Sequence, residues 1–188
     1  FLAFLNKRRG LVGGGVVCGG EPTLQPELPV FLKKIKQIGF LVKLDTNGSN
    51  PTLLSKLFRQ KLLDYVAMDV KAPLEEKKYQ RATGVTVNLK EIKESIEIIK
   101  GSGIDFEFRT TVVPGIHSKE GIIEIAKYIS GSAPRLRQGF GGQGAYSLQS
   151  FRSEKNLDKR FLKVKPFPRE FLLVIKKEIE IRLSDELK

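Results

Sequence analysis

Val16-Val17-Cys18-Gly19-Gly20-Glu21-Pro22-Thr23 reads as a strand running into a turn. Two β-branched residues, which favour extended backbone, lead straight into two glycines, a glutamate and a proline. Glycine supplies conformational freedom there, and its missing side chain leaves room for backbone to approach a ligand. Pro22 fixes the exit and removes a donor. Glu21 stands at the mouth, where a carboxylate can accept hydrogen bonds from a ligand ammonium. Gly15 to Cys18 is therefore expected as the first full strand.

The same pattern recurs downstream. Pro26 to Ile38 is predicted as a helix, with Leu28, Phe31, Leu32, Ile35 and Ile38 at helical spacing and Gly39 as its stop. Phe40 to Leu44 is a mostly apolar strand followed by Asp45-Thr46-Asn47-Gly48. Asn50-Pro51 places a cap and an N1 proline at the head of a helix carrying Leu53, Leu54, Leu57 and Phe58 inward. Asp64 to Val70 is the next strand. Asn88 with Glu91 starts a helix in the manner of a capping box, with Leu89, Ile92, Ile96 and Ile99 on one face. Asp105 to Val113 is a long strand stopped by Pro114-Gly115. Ser118 caps a helix whose inner face is Ile122, Ile125, Ala126 and Ile129, and Ala145 to Phe151 is one more strand.

Strand and helix thus alternate with short connections, the signature of a parallel sheet wrapped by helices. The near-continuous apolar strands predict burial on both faces. Polar residues gather just after each strand, at the end where α/β sheets and barrels bind ligands. One domain, residues 1–188, is expected. A glycine-rich insertion at 134–144 interrupts the alternation and reads as a flexible loop. Residues 153–188 form a basic helical extension, with Leu172, Ile175 and Ile179 packing on the outside of the sheet.

Composition narrows the function classes. A hydrophobic fraction of 40% in 188 residues supports a real core, and no apolar run is long enough to span a membrane. The opening Phe1-Leu2-Ala3-Phe4-Leu5-Asn6-Lys7-Arg8-Arg9 has its charges after the apolar part, the reverse of a secretory signal. It reads as the tail of an amphipathic helix without an initiator Met, so truncation at the amino end is expected. A single cysteine excludes an internal disulfide and suggests a cytoplasmic protein. It also excludes a self-contained cysteine-ligated metal centre. The net charge of +12 is spread along helices (Lys33, Lys34, Lys36; Lys90, Lys93, Lys100; Lys176, Lys177), a solvated surface rather than a nucleic-acid footprint.

Four strand ends carry groups capable of chemistry: Gly19-Gly20-Glu21, Asp45-Thr46-Asn47, Asp69 with Lys71, and Arg109 with Thr111. Each alone has a plainer reading. Asp45 and Asn47 are ordinary turn residues. Asp69 and Lys71 could be a surface ion pair, and Arg109 could pair with Glu107. Their recurrence at the same end of successive strands is what singles them out.

Val-Val-Cys-Gly-Gly-Glu-Pro-Thr, Leu-Asp-Thr-Asn-Gly, Val-Ala-Met-Asp-Val-Lys and Phe-Arg-Thr-Thr-Val-Val-Pro-Gly together resemble the radical S-adenosylmethionine enzymes. More narrowly they resemble the activases of glycyl-radical enzymes. Within these they are nearest the activating proteins of anaerobic ribonucleoside-triphosphate reductases, with the pyruvate formate-lyase activases as cousins. The resemblance covers most of residues 10 to 133 and resumes near Tyr146 to Arg152. It implies an α/β fold, a partial TIM-type (β/α)₆ barrel, here truncated at its amino end. It implies S-adenosylmethionine and a [4Fe–4S] cluster at the strand carboxyl ends. In that chemistry one electron cleaves the sulfonium to a 5′-deoxyadenosyl radical, which takes hydrogen from a glycine of the partner. The implied partners are a glycyl-radical enzyme, an anaerobic ribonucleotide reductase, and an electron donor such as flavodoxin or ferredoxin.

The resemblance also implies roles. Gly19, Gly20 and Glu21 would meet the methionyl ammonium, Lys71 and Arg109 its carboxylate, and Thr111 the adenosine. Asp45, Thr46 and Asp69 match positions around a monovalent cation, and Asn47 lies beside them. The chain departs from the family in its cluster motif and in its last strand. The motif Cys-x-x-x-Cys-x-x-Cys is absent, its ligands being expected upstream of Phe1, and the chain as written is expected to be inactive. Cys18 is expected as a small buried filler. The stretch Ser147 to Arg152 lacks the cofactor-contacting histidine of the pyruvate formate-lyase activases, and His117 reads as a loop residue. Two other readings stay open: a radical S-adenosylmethionine enzyme acting on a small molecule or RNA, and a non-catalytic basic module binding nucleotide or nucleic acid.

Overall fold

The computed structural model describes residues 2–131, 144–154 and 158–185. Its elements are α1 (Leu2–Asn6), β1 (Gly14–Val17), α2 (Leu28–Ile38), β2 (Leu41–Thr46), α3 (Pro51–Arg59), β3 (Tyr65–Asp69), α4 (Glu76–Thr83), α5 (Leu89–Lys100), β4 (Asp105–Val112), α6 (Lys119–Ser130), β5 (Ala145–Ser150) and α7 (Arg169–Asp185). Single 3₁₀ turns lie at Pro22–Leu24 and Lys159–Lys163. No helix among the described residues is long and apolar enough to cross a membrane.

The five strands are parallel and lie in sequence order, β1-β2-β3-β4-β5. A doubly wound sheet reverses its strand order at a switch point, and this one does not. With every crossover moving the same way and of the same hand, the helices fall on one face, as in a barrel wall. The fold is therefore a parallel α/β sheet of the partial TIM type. Capping sets the helix starts. Asn50 accepts from the Leu53 amide, Asn88 from Lys90 and Ser118 from Gly121. Gly39, with φ 94°, ends α2 in the left-handed conformation.

The core lies between sheet and helices. Val42, Leu44, Val66, Met68, Phe106 and Phe108 are buried against Leu32, Ile35, Leu54, Leu57, Ile92, Ile96 and Ile99. A second cluster joins Val112, Ile122, Ile123 and Ala126 to Ile175 and Ile179, which docks α7 on the outside. Leu172 is only partly buried there.

Three expectations change. Burial on both faces holds for the central strand β3, where Val66, Ala67 and Met68 are all covered, but not for β2 and β4: β4 alternates, with Phe106, Phe108, Thr110 and Val112 covered and Glu107, Arg109 and Thr111 on the other side. Alternation of this kind marks one apolar and one polar face. Cys18 is exposed, not a buried filler, because it lies one residue beyond β1, the edge strand. Helix α4 was not expected from Glu76-Lys77-Lys78-Tyr79-Gln80-Arg81-Ala82-Thr83; its one buried side chain, Tyr79, leaves no apolar stripe to read. Residues 134–143 of the glycine-rich insertion lie outside the described residues.

Candidate functional site

Strand register assembles the polar face. Side chains two apart along a strand share a face, and paired residues in parallel neighbours extend it sideways. Asp45 pairs with Ala67 and Ala67 with Glu107; Asp69 pairs with Arg109 and Arg109 with Ser147; Thr111 pairs with Gln149. Lys43 and Tyr65 lie a row lower. Three of the four strand-end motifs thus put their side chains on one surface, the face that the helices leave free.

Arg109 is the centre of that surface. Its Nη1 donates to Asp45 Oδ2 at 3.1 Å and its Nε to Asp69 Oδ1 at 2.9 Å. The other oxygen of Asp69 accepts from Lys71 Nζ at 2.7 Å. Below, Lys43 Nζ donates to Glu107 Oε1 at 3.0 Å and lies 4.7 Å from the centre of the Tyr65 ring. Burial works against the charge of Arg109, but Asp69 and Asp45 outweigh it and hold the guanidinium above its ordinary value. Burial, with Glu107 and Asp105 nearby, likewise pushes the Tyr65 hydroxyl up. Three carboxylates and three cations therefore alternate over the face and balance. One acceptor is left over: Asp45 Oδ1 is buried and has no hydrogen-bond partner among the described residues. Such an oxygen has lost its water without gaining a donor, a cost of about 1–3 kcal/mol or more for a charged group.

Glu21 does a different job. Its Oε1 accepts from the Thr23 amide (3.1 Å), the Thr23 hydroxyl (2.6 Å) and the Thr46 hydroxyl (2.8 Å), and its Oε2 from the Asn47 amide (2.6 Å). Glu21 as a whole is 8% exposed. It ties the turn after β1 to the end of β2 and retains acceptor capacity on Oε2 alone. Thr46 follows Asp45 in the strand, so its side chain falls on the opposite, helix-covered face. Its hydroxyl is engaged with Glu21 and the Gly48 amide. Asp45 and Asp69 thus converge on Arg109, while Thr46 does not face them. Asn47 closes its own turn by accepting from Ser49 N. Gly19 and Gly20 have φ 102° and 53°, and a Cβ on either would meet nothing within 4 Å. Glycine is needed there for backbone conformation. Thr111 contacts Gln149 at 3.4 Å.

Several participants were missed. Lys43 and Glu107 share the polar face, and the period-two run Asp105, Glu107, Arg109, Thr111 was the available signal. Ser95, fully buried on α5, donates to Gly48 O at 2.7 Å and steadies the loop after β2. Tyr79 and His117 hold the backbone of Lys71; nothing local announces contacts of that kind.

A family model described as the Radical SAM superfamily matches residues 2–129. A Methanocaldococcus jannaschii protein provisionally named a glycyl-radical enzyme activating enzyme is 34% identical over 160 residues. That match covers 82% of this chain and 61% of the relative, so the chain spans less than two thirds of that protein. Among solved structures, a domain of a pyruvate-formate lyase-activating enzyme from Bacteroides vulgatus superposes with TM-score 0.65 at 21% identity, over 93% of this chain and 94% of that one. SuiB of Streptococcus suis, bound to S-adenosylmethionine, superposes with TM-score 0.70 at 13% identity, over 98% of this chain and 40% of that one. At these identities the structural likeness concerns the fold.

Proposed function

The chain belongs to the radical SAM superfamily, and from that premise we propose that it is the S-adenosylmethionine-binding part of a glycyl-radical enzyme activase. Family membership implies S-adenosylmethionine and a [4Fe–4S] cluster. The two fare differently against the residues present.

S-adenosylmethionine fits. Its methionyl end is a zwitterion beside a sulfonium, and a face of alternating, balanced charges suits such a group. The observation that carries the reading is the orphaned Asp45 Oδ1 beside the Arg109 bridge. It is a single buried carboxylate oxygen in want of a donor, the other being held by Arg109, and an ammonium supplies one. Asp45 and Glu21 Oε2 would accept from that ammonium. Lys71 and Arg109 would bind the carboxylate. Gly19 and Gly20 would let backbone approach, Thr46 and Asn47 would shape the rim, and Thr111 would meet the adenosine. When bound, S-adenosylmethionine supplies a hydrogen-abstracting radical once its sulfonium is reduced; the protein's part is to orient it and exclude water.

The cluster does not fit. One cysteine stands in the sequence, and no group of three His, Cys, Asp or Glu able to hold a metal lies among the described residues. A cluster needs several thiolates. The partner that fits this reading is an anaerobic ribonucleoside-triphosphate reductase, with a flavodoxin or ferredoxin as electron source; the name of the relative, 34% identical, supports an activase.

Calorimetric titration of S-adenosylmethionine into the full chain tests the reading. Saturable binding is expected, weakened about 10- to 100-fold in Arg109→Gln, the equivalent of one charge-assisted hydrogen bond. No saturable binding to wild type would overturn it. Capture of purified anaerobic ribonucleoside-triphosphate reductase then tests the partner. Cofactor binding without capture would favour a radical SAM enzyme acting on another substrate.

A further inference from the structure

His117 is the single histidine of the chain, and both its ring nitrogens are engaged. Nδ1 accepts from the Val113 amide at 3.0 Å, and Nε2 lies 2.8 Å from the Lys71 carbonyl oxygen. An amide can only donate and a carbonyl can only accept, so the pair selects the tautomer with the proton on Nε2. The ring therefore spans two loops 46 residues apart: the turn that leaves β4 and the segment that leaves β3.

The two residues that follow β3, Val70 and Lys71, are fastened at every backbone polar group. Val70 N–H donates to Arg109 O at 2.8 Å, and Val70 O accepts from the Thr110 hydroxyl at 2.8 Å. Lys71 N–H donates to Tyr79 Oη at 3.3 Å, and Lys71 O takes His117. Connecting segments ordinarily leave such groups to water, whereas here each has a protein partner, two on β4, one on α4 and one in the turn after β4. The turn that carries His117 is tied in turn to α4, through Arg81 on Gly115 O. Lys71 reaches the polar face from this segment and pairs there with Asp69.

We infer that His117, with Tyr79, is a positioning residue: it locks the main chain of Lys71 so that its ammonium meets an anionic ligand group at the strand-end face. This rests on the cofactor-binding reading for the ligand, but the lock itself is independent of any ligand. A preorganised second layer of this kind spares a ligand the cost of ordering the loop.

The two ring bonds can be separated by substitution. In His117→Asn the shorter side chain keeps an acceptor for Val113 N–H and loses the reach to Lys71 O. In His117→Gln the amide nitrogen reaches the place of Nε2 and restores a donor. Hydrogen exchange of the full chain is expected to show faster exchange at Val70 and Lys71 in His117→Asn, and in Tyr79→Phe at Lys71, with His117→Gln close to wild type. S-adenosylmethionine affinity is expected to fall roughly tenfold in His117→Asn and to return in His117→Gln. Unchanged exchange at Lys71 in both His117→Asn and Tyr79→Phe would overturn the lock. Faster exchange with unaltered affinity would overturn its role in placing Lys71. Absence of binding to wild type would refute the cofactor reading while the exchange result still decided the lock.

Discussion

Tyr79 is 2% exposed, and burial, against the opposing pull of its backbone contact with Lys71, raises its hydroxyl from 10.0 to about 12. The sign follows from linkage. Below pH 10 the phenol is protonated in both folded and unfolded chains and adds nothing to the pH dependence. Between 10 and about 12 the unfolded chain has lost the proton and the folded one retains it, so stability falls as pH rises. Each unit costs about 1.4 kcal/mol. Denaturant unfolding followed by circular dichroism between pH 9 and 12 (on the order of four midpoints suffices) is expected to show that slope in wild type and a shallower one in Tyr79→Phe. An equal slope in both would remove Tyr79 as its source. At the same scale, Arg109 and Glu21 divide the work: Arg109 gathers carboxylates on the polar face, while Glu21 uses most of its acceptors inside the protein.

At the scale of elements, Asn50 shows how a cap and a tertiary contact share one side chain. Its Oδ1 accepts from Leu53 N at 3.0 Å and starts α3, and its Nδ2 donates to Thr23 O at 2.9 Å, binding that helix to the turn after β1. Asn50→Ala loses both and should cost about 1–2 kcal/mol. Asn50→Asp keeps the cap but loses the donor, and should fall between. Chemical denaturation of the three proteins checks the order; equal loss in both variants would mean that the cap contributes nothing. The loop between β2 and α3 is fixed from the other side as well. Gly48 has φ 77°, and a Cβ there would come within 2.0 Å of Met68 Cε, in addition to the Ser95 bond on its carbonyl. The loop after Asp45 is thus closely packed at Gly48.

For the molecule as a whole, the cluster is the decisive test of composition. One thiol, on Cys18, is available and is exposed. Anaerobic incubation of the full chain with iron and sulfide is expected to give no thiolate-to-iron charge-transfer bands and no stoichiometric iron. A stable cluster would contradict the assignment of its ligands to other residues. S-adenosylmethionine affinity, in contrast, should persist in the same preparation, because its proposed contacts all lie within β1 to β4 and the loops that follow them.

What was legible in the sequence followed from short-range rules. The caps at Asn50, Asn88 and Ser118 act within three residues. The inner faces of α2, α3, α5 and α6 repeat every turn, and the strand-end motifs stand in order, so the parallel α/β plan and most of the candidate residues were within reach. Tertiary structure alone decided which partners those residues chose. Arg109 meets Asp45 across 64 positions and Asp69 across 40, Glu21 meets Thr46 across 25, and His117 meets Lys71 across 46. Those distances close only through strand register, where a slip of one residue would exchange the polar face for the buried one. Exposure of Cys18 has the same origin: the edge of a sheet is a property of the assembled strands, not of the strand that occupies it.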